Sequence, residues 1–267
     1  MPEILHNTLP FKPWMAEKTR KLPGIQPLNP ADWLLRDEVF SAQMAYRDQL
    51  LANRRAQVFQ ATPNSLAAQH ELLETVITAL DTGYIRHKSH IMRPDNVQVS
   101  LDDTPIITAA RLVQEDLLIL ENGATEPELT AAVLCFPASW TLDEKFTQGM
   151  RAIHGNVIEY TPDMAKRVHR MFDALRPEQP LWRANFLIYS DADLFQPRAA
   201  GQDKPRKQGQ GGYIRVERQS LRKLPRTGAV VFGIHTYIMA LSKLSVVERR
   251  LLEDSLHKSS QGLTKLL

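Results

Sequence analysis

The chain has 267 residues, long enough to bury a core without staples, and its single cysteine, Cys135, excludes an intrachain disulfide, a cysteine-held iron–sulfur cluster and a Cys-rich zinc site. With 33 Lys and Arg against 30 Asp and Glu, interspersed along most of the chain, the formal charge of +3 gives no reason to expect a nucleic-acid partner. No apolar stretch approaches the ~20 residues that span a bilayer, and no basic region followed by an apolar run opens the chain, so a soluble cytoplasmic protein with no membrane partner is expected.

Prolines at 2, 10, 13, 23, 27 and 30, with Phe11, Trp14 and Ile25 between them, predict an extended arm. Asn29-Pro30-Ala31-Asp32 supplies an N-cap, a first-turn proline and an acid, predicting a helix that runs to about Arg55. Leu66, His70, Leu73, Ile77 and Leu80 recur at helical spacing before the stop signal Asp81-Thr82-Gly83, which places His70 in a core or interface. Short apolar or alternating runs then predict strands at Val97–Leu101, Leu117–Leu120, Ala131–Phe136, Phe186–Tyr189, Ile214–Leu221 and Ala229–Met239. The last two form a long hairpin turned by Leu224-Pro225-Arg226-Thr227-Gly228, and Cys135 reads as a small buried hydrophobe.

Two helices interrupt the strands. One runs from Thr141, with Glu144 as capping-box partner, to His154 and carries Phe146, Met150 and Ile153 on one stripe. The other opens at Thr161-Pro162-Asp163, with Met164, Val168, Met171, Phe172 and Leu175 as its apolar face and His169 at the margin. A last helix starts at Ser245 with Glu248, burying Leu251, Leu252 and Leu256. The basic, glycine-rich residues 204–212 match no phosphate loop and read as a surface loop. The element order is α+β: an antiparallel sheet with helices across one face, preceded by an arm and helices over 1–96, with a core over 97–244 and a terminal helix and tail over 245–267.

His154 sits beside the apolar stripe of its helix, a position that suits either a hydrogen-bonded core histidine or a buried cofactor ligand. His235, inside a strand, is the rival ligand, whereas His87 and His90 lie in a basic setting and are expected in solvent. On a strand, Arg215 and Glu217 share one face and Arg218 takes the other; Arg183 and Asn185 likewise share a face. Glu217, Arg218 and Arg222 also suit ordinary cross-strand ion pairs. There is no Gly-x-Ser-x-Gly, His-Glu-x-x-His or phosphate-loop pattern.

Six segments in order carry a resemblance. They are Leu28–Asp37, Leu112–Leu117, Phe136–Lys145, Ile153-His154, Arg183-Ala184-Asn185 and Arg215–Pro225. Together they resemble the haem-binding α subunit of haem-dependent oxidative N-demethylases. The resemblance implies a Per-Arnt-Sim-like core and oxygen-dependent removal of a methyl group from a small secondary amine at haem b iron. Electrons would come from a separate reductase subunit carrying FMN and a 2Fe-2S cluster. It implies His154 as the iron ligand; beside it, strand alternation lets Arg183 and Asn185 bind a haem propionate or the substrate, with Arg222 a further cofactor contact, and makes Glu217, Arg215 and Arg218 the candidate catalytic residues. A non-catalytic haem or small-ligand sensor is the alternative use of the same pocket. Two positions depart from the family pattern: Gly155-Asn156-Val157 stands where a proline-valine-proline turn is usual, and Phe186 where tryptophan is common.

Overall fold

The computed structural model describes residues 4–20, 24–153, 162–202 and 212–263. In chain order the strands are β1 (Gln26–Pro27), β2 (Phe59–Ala61), β3 (Ile85–Arg86), β4 (His90–Met92), β5 (Gln98–Ser100), β6 (Asp116–Asn122), β7 (Pro127–Val133), β8 (Leu181–Tyr189), β9 (Tyr213–Lys223) and β10 (Val230–Ala240). The helices are α1 (Glu17–Arg20), α2 (Phe40–Asn53), α3 (Arg55–Val58), α4 (Leu66–Ala79), α5 (Pro105–Ala110), α6 (Leu142–Lys145), α7 (Met150–Ile153), α8 (Pro162–Ala174) and α9 (Val246–Leu263).

Seven strands form one antiparallel sheet in the order β1-β8-β9-β10-β6-β7-β2, and β3 to β5 form a separate three-stranded sheet. The fold is therefore α+β, as the pattern of runs predicts. Its centre is the β9–β10 hairpin, paired from Tyr213↔Ala240 to Lys223↔Val230. The turn closes with Leu224 N donating to Ala229 O at 2.8 Å, and Gly228 supplies the positive φ of 73° that a side chain would resist. The arm and the region after it contribute β1 and β2, one at each edge of the large sheet.

Because strand side chains alternate, the sheet has two distinct faces. On the helix face, Leu118, Leu120, Leu129, Ala132, Leu134, Leu221, Val230 and Ile234 pack with Leu142, Phe172 and Leu175 from the α6–α8 region. On the arm face, Ile214, Val216, Tyr237 and Met239 pack with Leu9 and Trp14 of the arm and Leu244 and Leu252 beside or on α9. Trp33, Leu117, Ile119 and Val231 continue that face into the largest cluster, which takes in Leu50 and Leu51 of α2 and Leu72 and Val76 of α4.

Four local expectations are corrected. The helix expected from Pro30 is a single 3-10 turn, Pro30–Asp32, capped by Asn29, and α2 begins only at Phe40. Between them Leu35 N donates to Glu115 and Asp37 N to Gln114, so long-range partners take backbone groups that a helix would have used internally. The helix expected from Thr141 is two single turns, α6 and α7. Phe146 leaves helical φ/ψ, Thr147 adopts φ 57°, and Thr147 N and Gln148 O instead pair with the backbone of Leu129 at the edge of β7. Thr141 Oγ1 does bond Glu144 Oε2 at 2.9 Å, but without a capped backbone N–H. His70 is exposed on α4, and of the leucines expected to be buried on α9 Leu252 is buried, while Leu251 and Leu256 are exposed. The Ser245–Glu248 capping box forms in both directions, at 2.8 and 3.3 Å, and Cys135 is buried, its thiol pushed up to about 12 by desolvation.

Candidate functional site

The register places a strip of polar side chains on the helix face. Asn185 stands opposite Glu217, Arg183 opposite Gln219 and Thr236 opposite Glu217, so all share one face with Arg215. Arg215 is fully buried; its guanidinium donates to Leu194 O at 2.9 Å, to Phe136 O, to Thr236 Oγ1 at 3.4 Å and to Glu217 Oε1 at 3.3 Å. Gln219 donates to the other oxygen of Glu217 at 3.0 Å. Glu217 is thus a buried carboxylate with both oxygens engaged inside the strip.

Arg183 and Asn185 are different. Among the described residues, the Nε of Arg183 and the Oδ1 of Asn185 are buried and have no hydrogen-bond partner. No carboxylate of the described residues lies within ion-pair distance of Arg183. Desolvation lowers its pKa, opposed by the field of Glu217. Buried polar groups are nearly always satisfied, so two unpartnered atoms side by side on one strand stand out, as do Trp33 Nε1, Arg47 Nε and Glu115 Oε2 elsewhere in the described residues. Beside the strip the same face turns apolar through Leu181, Leu221, Phe232, Ile234 and Phe172.

The structure does not bring Arg218 or Arg222 to this strip. Arg218 pairs in register with His235 on the arm face, where its guanidinium donates to the carbonyls of Trp33, at 3.2 Å, and Asp32. Arg222 lies 4.6 Å over the Trp33 ring on that same face. The set expected from sequence is therefore split by strand alternation: Arg215, Glu217, Arg183 and Asn185 on the helix face, Arg218 and Arg222 on the arm face. His154 lies outside the described residues. The helices that flank it in sequence, α7 and α8, send Met150, Ile153, Val168 and Met171 onto the helix face. The basic loop at 204–212 also lies outside the described residues, apart from Gly212.

His235, the rival ligand, is fully buried with both ring nitrogens engaged by carboxylates: Nδ1 with Glu115 Oε1 at 3.0 Å and Nε2 with Asp37 Oδ2 at 3.0 Å. Neither nitrogen is free to bind a metal. Burial alone would depress its pKa, but Glu115 and Asp37 outweigh that and push it up to about 9. The same Asp37 oxygen takes His6 Nε2 at 2.8 Å, and Gln114 Nε2 donates to the other at 2.8 Å. Asp37 is also desolvated, yet its two histidine contacts hold it far below the ordinary carboxylate range. Close by, Arg47 and Asp116 form a fully buried pair at 2.7 Å, and Asp116 accepts the N–H groups of Cys135 and Phe136. Sequence reasoning missed this cluster, although two of the segments that carry the resemblance, Leu28–Asp37 and Leu112–Leu117, supply Asp37 and Gln114-Glu115-Asp116 to it.

A cleft of about 710 Å³ opens between α7, α8 and the turn joining β6 to β7, with Met150, Val168 and Phe172 as an apolar floor and Arg151, Lys166 and Arg170 among its cations.

A family model described as haem-dependent oxidative N-demethylase, alpha subunit-like, matches residues 24–265. The chain belongs to this family. The matched span contains both polar clusters apart from His6. The described residues also meet what a haem asks of a member of the N-demethylase family. The helix face offers an apolar wall next to orphaned buried polar atoms, and the cleft between α7 and α8 offers cations suited to propionates. Among the described residues no group of three or more His, Cys, Asp and Glu side chains suits a bare metal ion, and no helix is long and apolar enough to cross a membrane.

Proposed function

We propose that this chain is the haem-carrying subunit of an oxygen-dependent N-demethylase acting on a small secondary amine, with haem b iron ligated by His154. The family match supports this chemistry. The observation that carries the reading in this chain is the strip on the helix face, where Arg183 and Asn185 keep unpartnered buried atoms next to an apolar wall.

Haem supplies the activation of oxygen, and the overall reaction consumes one O2, two electrons and two protons to convert a methylamine into the demethylated amine, formaldehyde and water. The electrons come from a separate reductase bearing FMN and a 2Fe-2S cluster, in keeping with a chain whose single cysteine is buried against Arg47 and Asp116. The work of the polypeptide is to bind, orient and exclude water. Arg215, anchored on two backbone carbonyls, fixes Glu217 in place, and Glu217 presents a buried negative charge toward the amine and takes up its proton. Arg183 and Asn185 meet the bound ligands from the neighbouring strand. Arg218, expected from sequence to act in catalysis, instead holds the backbone at Asp32 and Trp33 and supports the strip from behind the sheet.

The direct test is formaldehyde release from N-methylated amines by haem-loaded protein given oxygen and a reductase, with His154→Ala as control. Amine-dependent formaldehyde that disappears in the variant is expected. Haem-loaded protein that consumes no oxygen with any secondary amine would leave the family's chemistry without support here.

A further inference from the structure

Building on the amine reading above, we infer that the substrate is a small N-methyl amino acid, a secondary amine that also carries a carboxylate, and that Arg183 recognises that carboxylate while Asn185 accepts from the ammonium. The charge balance of the strip carries this. Two guanidiniums, Arg183 and Arg215, stand against one carboxylate, Glu217, and Glu217 is already engaged by Arg215 on one oxygen and by Gln219 on the other. A dialkylammonium ion alone would add a second uncompensated positive charge to a desolvated strip, which is costly in a low-dielectric site. A zwitterion brings a carboxylate for Arg183 along with its ammonium and leaves the net charge of the strip unchanged.

The unpartnered atoms point the same way. Arg183 Nε is a donor and Asn185 Oδ1 an acceptor, so the open valences of the strip ask for an acceptor group and a donor group in one ligand. The planar guanidinium of Arg183, with its Nε unused, can meet a carboxylate through two parallel hydrogen bonds. Asn185 stands opposite Glu217 in the β8–β9 register, so an ammonium held by Asn185 Oδ1 also faces the buried carboxylate. Two residues along one strand, about 6–7 Å of rise, separate the backbone positions of the two handles, a span suited to a small molecule.

The experiment is calorimetric titration of the haem-loaded protein with N-methylglycine, N-methylglycinamide and dimethylamine, on wild type and on Arg183→Gln. N-methylglycine is expected to bind roughly ten- to a hundred-fold more tightly than its amide or dimethylamine, the usual range for a charge-assisted pair. Arg183→Gln should erase that preference, weakening N-methylglycine and tightening dimethylamine, because the uncompensated guanidinium is gone. The wild-type comparison of acid with amide needs no variant, so the inference stands or falls even if Arg183→Gln folds poorly. Equal binding of all three ligands overturns the carboxylate assignment and leaves the amine reading in place. Binding of none of them by haem-loaded protein overturns both. Loss of haem from Arg183→Gln, with the three ligands indistinguishable on wild type, assigns Arg183 to the cofactor and overturns the inference.

Discussion

Arg218 and Arg183 sit on neighbouring central strands, and desolvation lowers the pKa of both, yet they end differently. Arg218, on the arm face, donates hydrogen bonds to the carbonyls of Asp32 and Trp33, whereas Arg183, on the helix face, keeps a buried Nε with no partner among the described residues. The faces around them differ in the same sense. On the arm face His6, Asp37, His235 and Glu115 join the arm, the start of β6 and the middle of β10 through contacts of 2.8–3.0 Å, although the second oxygen of Glu115 stays without a hydrogen bond. On the helix face Arg215, Glu217, Gln219 and Thr236 are joined to one another, and among the described residues the buried Nε of Arg183 and Oδ1 of Asn185 beside them have no partner. A buried charge that has found its counter-charge within the chain belongs to the fold, and one that has not is where the proposal above puts a ligand.

That contrast can be broken most easily at Asp37. Asp37→Ala removes the carboxylate shared by two histidines and leaves His235 with Glu115 alone, and loss of one partner of a buried charge cluster typically costs about 3–5 kcal/mol. Urea unfolding should show that loss; a change below about 1 kcal/mol would make the arm-face cluster decorative. Stability against pH gives a second, intermediate effect. The folded pKa of His235 is raised above its ordinary value of 6.5 to about 9, so its contribution is fully present below 6.5 and is lost as pH rises through about 9. Asp37 works in the opposite sense: its contribution is present above its ordinary 3.8 and is lost only as pH falls toward its much lower folded value. The wild-type protein should therefore lose stability between pH 6.5 and 9, and His235→Gln should flatten that decline.

Smaller effects sharpen the comparison. Ser245→Ala deletes one half of the reciprocal cap on α9, and a thermal or chemical unfolding shift equivalent to about 1 kcal/mol is expected. Smallest of all should be the stability effect of Arg183→Met in ligand-free protein, within about 0.5 kcal/mol of wild type or slightly stabilising, because a desolvated charge without a counter-ion is being removed. A loss as large as that of Asp37→Ala would show that Arg183 is structural and that the two faces are alike.

Much of this arrangement can be read from local pattern. Alternation predicts six strand positions, the long hairpin and the sharing of one face by Arg215 and Glu217, and helical spacing predicts α4 and α8. The same alternation, carried four residues past Arg218, places Arg222 with Arg218 on the arm face and away from Arg183. What local pattern cannot carry is pairing across long separations. His6 bonds the backbone of Ile238, 232 residues away, and His235 bonds Asp37 across 198, so their types and spacing leave no periodic trace. The break between α6 and α7 has the same origin, since Thr147 and Gln148 leave a locally good helix to bond the edge of β7.

The most direct measurement of the central claim is the visible absorption spectrum of the purified protein, oxidised and dithionite-reduced, for wild type, His154→Ala and His235→Gln. A Soret band in wild type that is lost or shifted in His154→Ala and unchanged in folded His235→Gln is the result this account predicts. Protein that stays colourless under ample haem supply, or a band that follows His235 instead of His154, would contradict it.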